Sequence, residues 1–150
     1  MSAHHTLSAD AGTVHRGTFD AALPPVLTIA SGDTVELTSL SGDNADLPPD
    51  SAGFTVSAAH RDVLDRVAPG LGPHFMTGPI AVKDAMPGDE LIVDVLKVDL
   101  ANDWGWNLTR AGKGTLPDAF RRKRRSRKTC RIPSAARSTS TERRRRERQS

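Results

Sequence analysis

Five histidines are the residues of this chain best suited to acid–base or metal chemistry, and two of them stand out by their surroundings. His15 lies in segment 14–20, ahead of a Pro-Pro turn, and Asp20 follows it closely enough to share its loop. His74 lies in residues 72–79, which have glycine and proline at both ends. Because rigid loops above a β scaffold carry many binding and catalytic groups, His15 and His74 are better site candidates than a histidine on a helix face.

The remaining histidines have a structural interpretation. His4 and His5, beside the N-terminus, are predicted to be solvated. His60, next to Arg61 in a predicted helix, is predicted to lie on the surface. A hydrogen bond to a loop carbonyl is the structural alternative for a loop histidine such as His74, and the sequence leaves both interpretations open.

Most other reactive groups also have structural explanations. Asp33, Asp43 and Asp89 each follow a glycine and are predicted to form turns, because a short carboxylate accepts hydrogen bonds from nearby backbone. No spacing matches an EF-hand, an H-E-x-x-H zinc helix, a P-loop or a G-x-S-x-G nucleophile elbow. The single cysteine, Cys130, excludes an intramolecular disulfide framework and a thiolate zinc site, and we expect it to be inert.

The charge of the chain is divided between two parts. Residues 1–120 hold 7 Lys or Arg against 16 Asp or Glu, a net charge of −9, whereas residues 121–150 hold 14 against 2, a net charge of +12. A uniformly basic nucleic-acid-binding domain is excluded, because an acidic body repels phosphate. The basic tail has too few apolar residues to offset its ordering entropy. We therefore predict a folded domain over 1–120 and a disordered Arg-rich tail over 121–150.

The sequence predicts neither a membrane span nor a secretory signal. The longest apolar runs have four or five residues, against the ~20 that a spanning helix needs. Segment 1–10 has no basic region followed by an apolar one. These features predict a cytoplasmic protein without a membrane partner.

The elements that must position the candidate residues are predicted to be mainly strands. Glycine and proline divide the body into short runs with the period-two character of strands, at 26–29, 34–40, 53–56, 79–83 and 90–100. The last run is apolar on both sides, which predicts either a strand buried on both faces or a strand with a bulge near Lys97. The fold class is therefore predicted to be mainly β, resembling a sandwich or barrel, with one short helix.

That helix is predicted over 58–67, with Ser57 as its N-cap. Its apolar stripe at helical spacing consists of Ala59, Val63, Leu64 and Val67. The only aromatic cluster, Trp104 and Trp106 around a glycine, is predicted either to cover the edge of a core or to wall a small-molecule pocket.

Several segments, in order and spacing, resemble one enzyme family. Residues 72–80 resemble a His-x-x-Thr-Gly-Pro loop, and residues 85–91 resemble the Ala-x-Pro-Gly-Asp-x-Leu segment that follows it in the acetamidase/formamidase family. Further matching segments lie at 15–20, 24–29, 31–35, 104–107 and 114–117. The resemblance covers about residues 4–120.

This resemblance implies the N-terminal portion of a β-rich amidase. Such an enzyme hydrolyses short aliphatic amides, of the formamide or acetamide class, to carboxylate and ammonia. Family members are thought to use a metal-bound water, which implies a divalent metal such as zinc. By resemblance, His74 is a metal ligand or acid–base residue, and His15 and Asp20 are further candidates for the catalytic site.

The chain also departs from the family's pattern. Arg16 stands where the family has tryptophan, and the family's later Gly-Asp-Gly-His segments are absent. Arginine-rich, glycine-free sequence after a good match is typical of out-of-frame translation. We therefore expect residues 121–150 to be a frameshift product and the chain to be a truncated, inactive portion of an amidase.

Two other function classes remain open at this stage. The tail would bind nucleic acid non-specifically, because its cations neutralise phosphates while it has no aromatic residue to stack on bases. Alternatively, the body is a non-enzymatic β module for protein contacts. An incomplete sheet would leave edge strands unpaired, which favours self-association, as a homo-oligomer, or aggregation.

Overall fold

The structure is a computed structural model that describes residues 2–109, 115–116, 126–131 and 138–140. The chain divides into two units. The first combines Met1–Leu47 with Val56–Leu91, and the second combines Pro48–Thr55 with Ile92–Ser150. The predicted domain boundary at residue 120 stays a prediction. Among the described residues, no helix has the length and apolar character needed to cross a bilayer.

The first unit contains six short strands that pair in twos. Strand β1 pairs with β4 in parallel, β2 with β5 antiparallel, and β3 with β6 in parallel. Their bounds are His4–Leu7 for β1, Val14–Arg16 for β2, Leu27–Ile29 for β3, Thr34–Leu37 for β4, Phe75–Thr77 for β5 and Ile80–Val82 for β6. The mainly β prediction is confirmed, and the strands in the described ranges close no barrel.

One α-helix, α1 (Ala58–Arg66), packs on these strands, which confirms the predicted helix. The Ser57 hydroxyl accepts a hydrogen bond from the His60 backbone nitrogen at 3.2 Å, so Ser57 is the predicted N-cap. The buried core of this unit is small and joins α1 to β2. It consists of Ala9, Val14 and Val63, with Leu40, Val67 and Phe75 packed against it.

The predicted surface position of His60 is wrong. The side chain is fully buried, its Nε2 lies 2.9 Å from the Gly42 carbonyl oxygen, and its ring meets Phe75 edge-on at 5.8 Å. The reason is the helical period, since residues 60, 63, 64 and 67 follow the i, i+3, i+4, i+7 spacing of one face. The imidazole therefore takes the position of an apolar residue, and a loop carbonyl satisfies its nitrogen.

Two predicted strands are corrected. Residues 53–56 are not a strand; they follow the 3₁₀ turn Asp50–Ala52 in irregular backbone. Within 90–100, only Lys97–Asp99 is a strand, named β7. The predicted burial of this run on both faces is also wrong, since Ile92 is 79% exposed and Val93 is 69% exposed. An apolar period specifies which residues share a face, but burial needs a second layer to pack against.

In the described residues of the second unit there are four strands, two of which lie in the predicted tail. Strand β8 (Trp104–Thr109) pairs antiparallel with β9 (Ser126–Arg131), and β7 pairs antiparallel with β10 (Ser138–Ser140). Both tail segments are therefore hydrogen-bonded in backbone ladders, and disorder is not confirmed for them. The rest of 121–150 lies outside the described residues, and disorder there stays a prediction.

Two of the three predicted Gly-Asp turns have the same geometry. The Asp33 carboxylate accepts from the Ala30 nitrogen at 2.9 Å, and the Asp89 carboxylate accepts from the Met86 nitrogen at 2.8 Å. The glycine before each aspartate has a positive φ of 85° or 103°. Since only glycine adopts this backbone at low cost, the sequence places these turns locally.

Pairing of β1 with β4 is expected to weaken in acid. Hydrogen bonds from the Ala3 and Ala30 nitrogens, and the contact of His5 Nε2 at 2.9 Å, lower the pKa of Asp33 from 3.8 to about 2. Because this pKa is lower in the folded state, the stabilisation is complete above pH 4 and is lost as the pH falls through about 2. Hydrogen exchange at the Thr34 amide, bonded to the Ala3 carbonyl, measures the loss. If Asp33→Asn retains the same pH dependence, this assignment is wrong.

Candidate active site

The antiparallel pair β2–β5 positions the central candidate, His15. Val14 and Arg16 lie on the buried face of β2, and because side chains alternate along a strand, His15 lies on the outer face. Met76 of β5 is its direct cross-strand partner. Opposed residues of an antiparallel ladder share a face, so the imidazole and the thioether lie side by side.

A cavity of about 250 Å³ opens on this outer face. It is lined by two polar residues and four apolar ones: His15, Asp20, Phe19, Leu23, Met76 and Pro79. The structure thus brings together two of the three predicted site residues. Strands β2 and β5 supply the floor, and the loop after β2 supplies the aspartate.

His15 is half-buried, and one of its nitrogens is bonded to backbone. Nδ1 lies 3.3 Å from the Gly78 carbonyl oxygen. Since a carbonyl only accepts, Nδ1 carries the proton in this contact and Nε2 is left as the basic nitrogen. A tautomer fixed in this way suits His15 to accept a proton from a water in the cavity.

Asp20 lines the cavity and also forms part of a turn. One carboxylate oxygen accepts from the Ala22 nitrogen at 2.8 Å, and its carbonyl accepts from the Leu23 nitrogen at 3.2 Å. Asp20 does not follow a glycine, but it forms a turn in the way predicted for the aspartates that do. One carboxylate oxygen is therefore committed to backbone.

His74 lies beside the cavity but is not part of its lining. The residue is exposed, and its carbonyl accepts from the Gly17 nitrogen at 2.9 Å at the end of the β2–β5 ladder. Continuing the ladder register places His74 opposite Gly17, on the same face as His15 and Met76. Its role as a ligand or acid–base residue stays a prediction.

Two loops contact each other beside the cavity at glycine residues, which have no side chain. Gly17 has a φ of 71°, and a Cβ at this position would overlap the backbone of Gly72. A Cβ at Gly70 would overlap the carbonyl oxygen of Arg16. These glycines allow the loop that leads to Asp20 to lie directly on the loop that leads to His74.

Sequence reasoning missed the buried role of Arg16. Its side chain is only 3% exposed, and its Nη2 lies 3.1 Å from Asp43 Oδ1. Its Nη1 donates a hydrogen bond to the Val67 carbonyl at 3.0 Å. The guanidinium also lies 4.7 Å from the centre of the Phe75 ring. The alternation of side chains along β2 could have predicted this burial, because it places Arg16 on the same face as Val14. Arg16 thereby fixes β2 against the end of α1, behind His15.

The Trp104 and Trp106 segment belongs to the second unit. Trp104 is buried, and its Nε1 donates to the Thr55 carbonyl at 2.9 Å. This geometry favours the core-edge interpretation for Trp104 over a pocket wall.

Comparison with known proteins identifies the family of this chain. The family model of the acetamidases and formamidases matches residues 4–141, which is most of the chain. The chain belongs to the acetamidase/formamidase family. A formamidase of Methylophilus methylotrophus is 44% identical over 52 residues, a stretch that covers 31% of this chain and 13% of that formamidase. The chain therefore matches only a small part of that relative's length. No solved structure matches the chain.

Membership of the acetamidase/formamidase family confirms the resemblance and supports the amidase class over the two alternative function classes. The family match also extends beyond residue 120, into the segment predicted to be a frameshift product.

The divalent metal expected from the family resemblance would need several His, Cys, Asp or Glu side chains close together. In the part of the chain that the structure describes, no three His, Cys, Asp or Glu side chains are grouped so that they could hold a metal ion. Protein zinc sites use at least three such ligands. The described residues therefore do not fit a zinc site, and the expected divalent metal stays a prediction.

Proposed function

We propose that this protein hydrolyses short aliphatic amides, of the formamide or acetamide class, to carboxylate and ammonia. The observation that carries the proposal is His15, held by the Gly78 carbonyl on the wall of a cavity large enough for a short amide and a water. The family match and the formamidase relative support the reaction class. The proposed substrate partner is a small neutral amide, and a cytoplasmic location is part of the proposal.

The proposed chemistry follows from the basic nitrogen of His15. Its Nε2 takes a proton from water as the water oxygen attacks the amide carbonyl carbon. The protonated imidazole then donates this proton to the leaving nitrogen as the carbon–nitrogen bond breaks, which releases ammonia and the acid. His74, which lies beside the cavity next to β5, is proposed as a second acid–base residue of the site, secondary to His15.

Turnover by the 150-residue chain is expected to be slow. A general base works best when a partner stabilises its protonated form, and one oxygen of Asp20 is already committed to the Ala22 nitrogen. The earlier expectation, a truncated and inactive portion of an amidase, stays a prediction, and slow but measurable turnover is what distinguishes this proposal from it.

The test is ammonia release from formamide and acetamide, with His15→Gln as the decisive variant. Loss of the base is expected to lower kcat/KM about 100-fold, at the lower end of the range for general bases because His15 is only half-buried. His74→Gln is expected to cause a smaller loss, about 10-fold. His4→Gln is the matched control, since His4 is exposed and lies outside the cavity lining.

Three results would contradict parts of this proposal. Undiminished ammonia release by His15→Gln would remove His15 from the site. Full activity of His74→Gln would remove His74. Absence of any release by the unmodified chain, with or without added zinc, would contradict hydrolysis by this chain.

A further inference from the structure

We infer that Phe19, Leu23 and Met76 form an acyl pocket that makes this protein prefer amides with longer alkyl groups, propionamide over formamide. The inference rests on the proposed amide substrate and assigns the residues that would select among such substrates. Four of the six residues that line the cavity are apolar, whereas hydrogen-bonding side chains come only from His15 and Asp20.

The register of β2 and β5 orients the substrate in this cavity. Met76 is the direct cross-strand partner of His15, so an amide whose carbonyl carbon is near the imidazole has its alkyl group within reach of the thioether. An unbranched thioether side chain adapts to alkyl groups of different length. Leu23 closes the turn that Asp20 begins and extends the same apolar wall.

Phe19 stands at the mouth of the cavity. It contributes to the lining and yet is 93% exposed, so most of its ring is in contact with water. An alkyl group that extends to the mouth would remove part of this ring from water. Each buried methylene is worth about a four-fold change in affinity, and the two additional carbons of propionamide are expected to give about a ten-fold gain over formamide, since burial at a mouth is partial.

The experiment measures binding separately from turnover. The chain is labelled at the methionine methyl groups and the histidine rings, and formamide, acetamide and propionamide are titrated while the signals of Met76 and His15 are followed by NMR. The dissociation constant is expected to fall through the series by about ten-fold in total. Phe19→Ser and Met76→Thr are expected to reduce this gain to less than three-fold.

Leu71→Ser is the matched control. Leu71 is 94% exposed, as much as Phe19, but it does not line the cavity. The control variant should retain the full ten-fold gain. Because Phe19 is exposed, its replacement removes little buried surface, and circular dichroism verifies that each variant is folded.

The outcomes separate this inference from the proposed hydrolysis. Equal affinity for the three amides, absence of binding, or a loss of the gain in Leu71→Ser equal to that in Phe19→Ser would overturn the acyl pocket. Binding that strengthens along the series without ammonia release would support the pocket and contradict hydrolysis. Ammonia release with no dependence on alkyl length would support hydrolysis and contradict the pocket.

Discussion

Replacing Gly17 by alanine is expected to lower the free energy of unfolding by about 3 kcal/mol. The left-handed backbone alone costs a residue with a Cβ about 1–2 kcal/mol. The new Cβ would also overlap the backbone of Gly72, so the two loops must separate. Urea unfolding followed by far-UV circular dichroism measures the loss. Amide binding should weaken as well, because Phe19 and Asp20 follow directly in the displaced loop.

Gly32→Ala is the matched control for this prediction. Gly32 also has a positive φ, of 85°, but a Cβ there would have no neighbour within 4 Å. Its replacement should lower the free energy of unfolding only by the cost of the left-handed backbone, about 1 kcal/mol. Equal losses for the two variants would show that the contact between the loops contributes nothing.

Arg16→Ala is expected to lower the free energy of unfolding by about 3 kcal/mol. Breaking a buried ion pair costs 3–5 kcal/mol, and the lower end applies because the Asp43 side chain is 39% exposed. The variant also leaves the Val67 carbonyl without its donor and removes the guanidinium from the Phe75 ring. Urea unfolding and hydrogen exchange along β2 and α1 measure the effect.

Arg131→Ala provides a control with nearly the same contacts. Arg131 Nη1 lies 2.9 Å from Asp103 Oδ2, and its guanidinium lies 4.8 Å from the centre of the Phe54 ring. Its side chain, however, is 61% exposed, against 3% for Arg16. Exposed pairs contribute less than about 1 kcal/mol, so this variant should change stability little. Similar losses for both arginines would show that burial does not set the energy of these pairs.

The candidate site was partly accessible from sequence. Proximity along the chain was enough to predict that His15 and Asp20 share a site, because a loop of a few residues keeps its ends together. The position of His74 beside, and not within, the lining depends on the pairing of β2 with β5, which are separated by more than fifty residues. The apolar lining from Met76 and Pro79 depends on the same long-range pairing.

The sequence by itself determined the features that arise from neighbouring residues. The start and N-cap of α1, the Asp33 and Asp89 turns and the strands at β3, β4 and β6 follow from caps, positive φ at glycine and apolar period. These signals act over a few residues and so are present in any local window.

Only the tertiary structure decided which surfaces are covered. His60 and Arg16, both polar, are buried, whereas Ile92 and Val93, both apolar, are exposed. The period of an element fixes which side chains share a face, but the partner layer decides whether that face is buried. A polar side chain can be buried when backbone from elsewhere in the chain forms hydrogen bonds with it. The Gly42 carbonyl does this for His60 and the Val67 carbonyl does it for Arg16. Such hydrogen bonds depend on contacts between segments that lie far apart in the sequence.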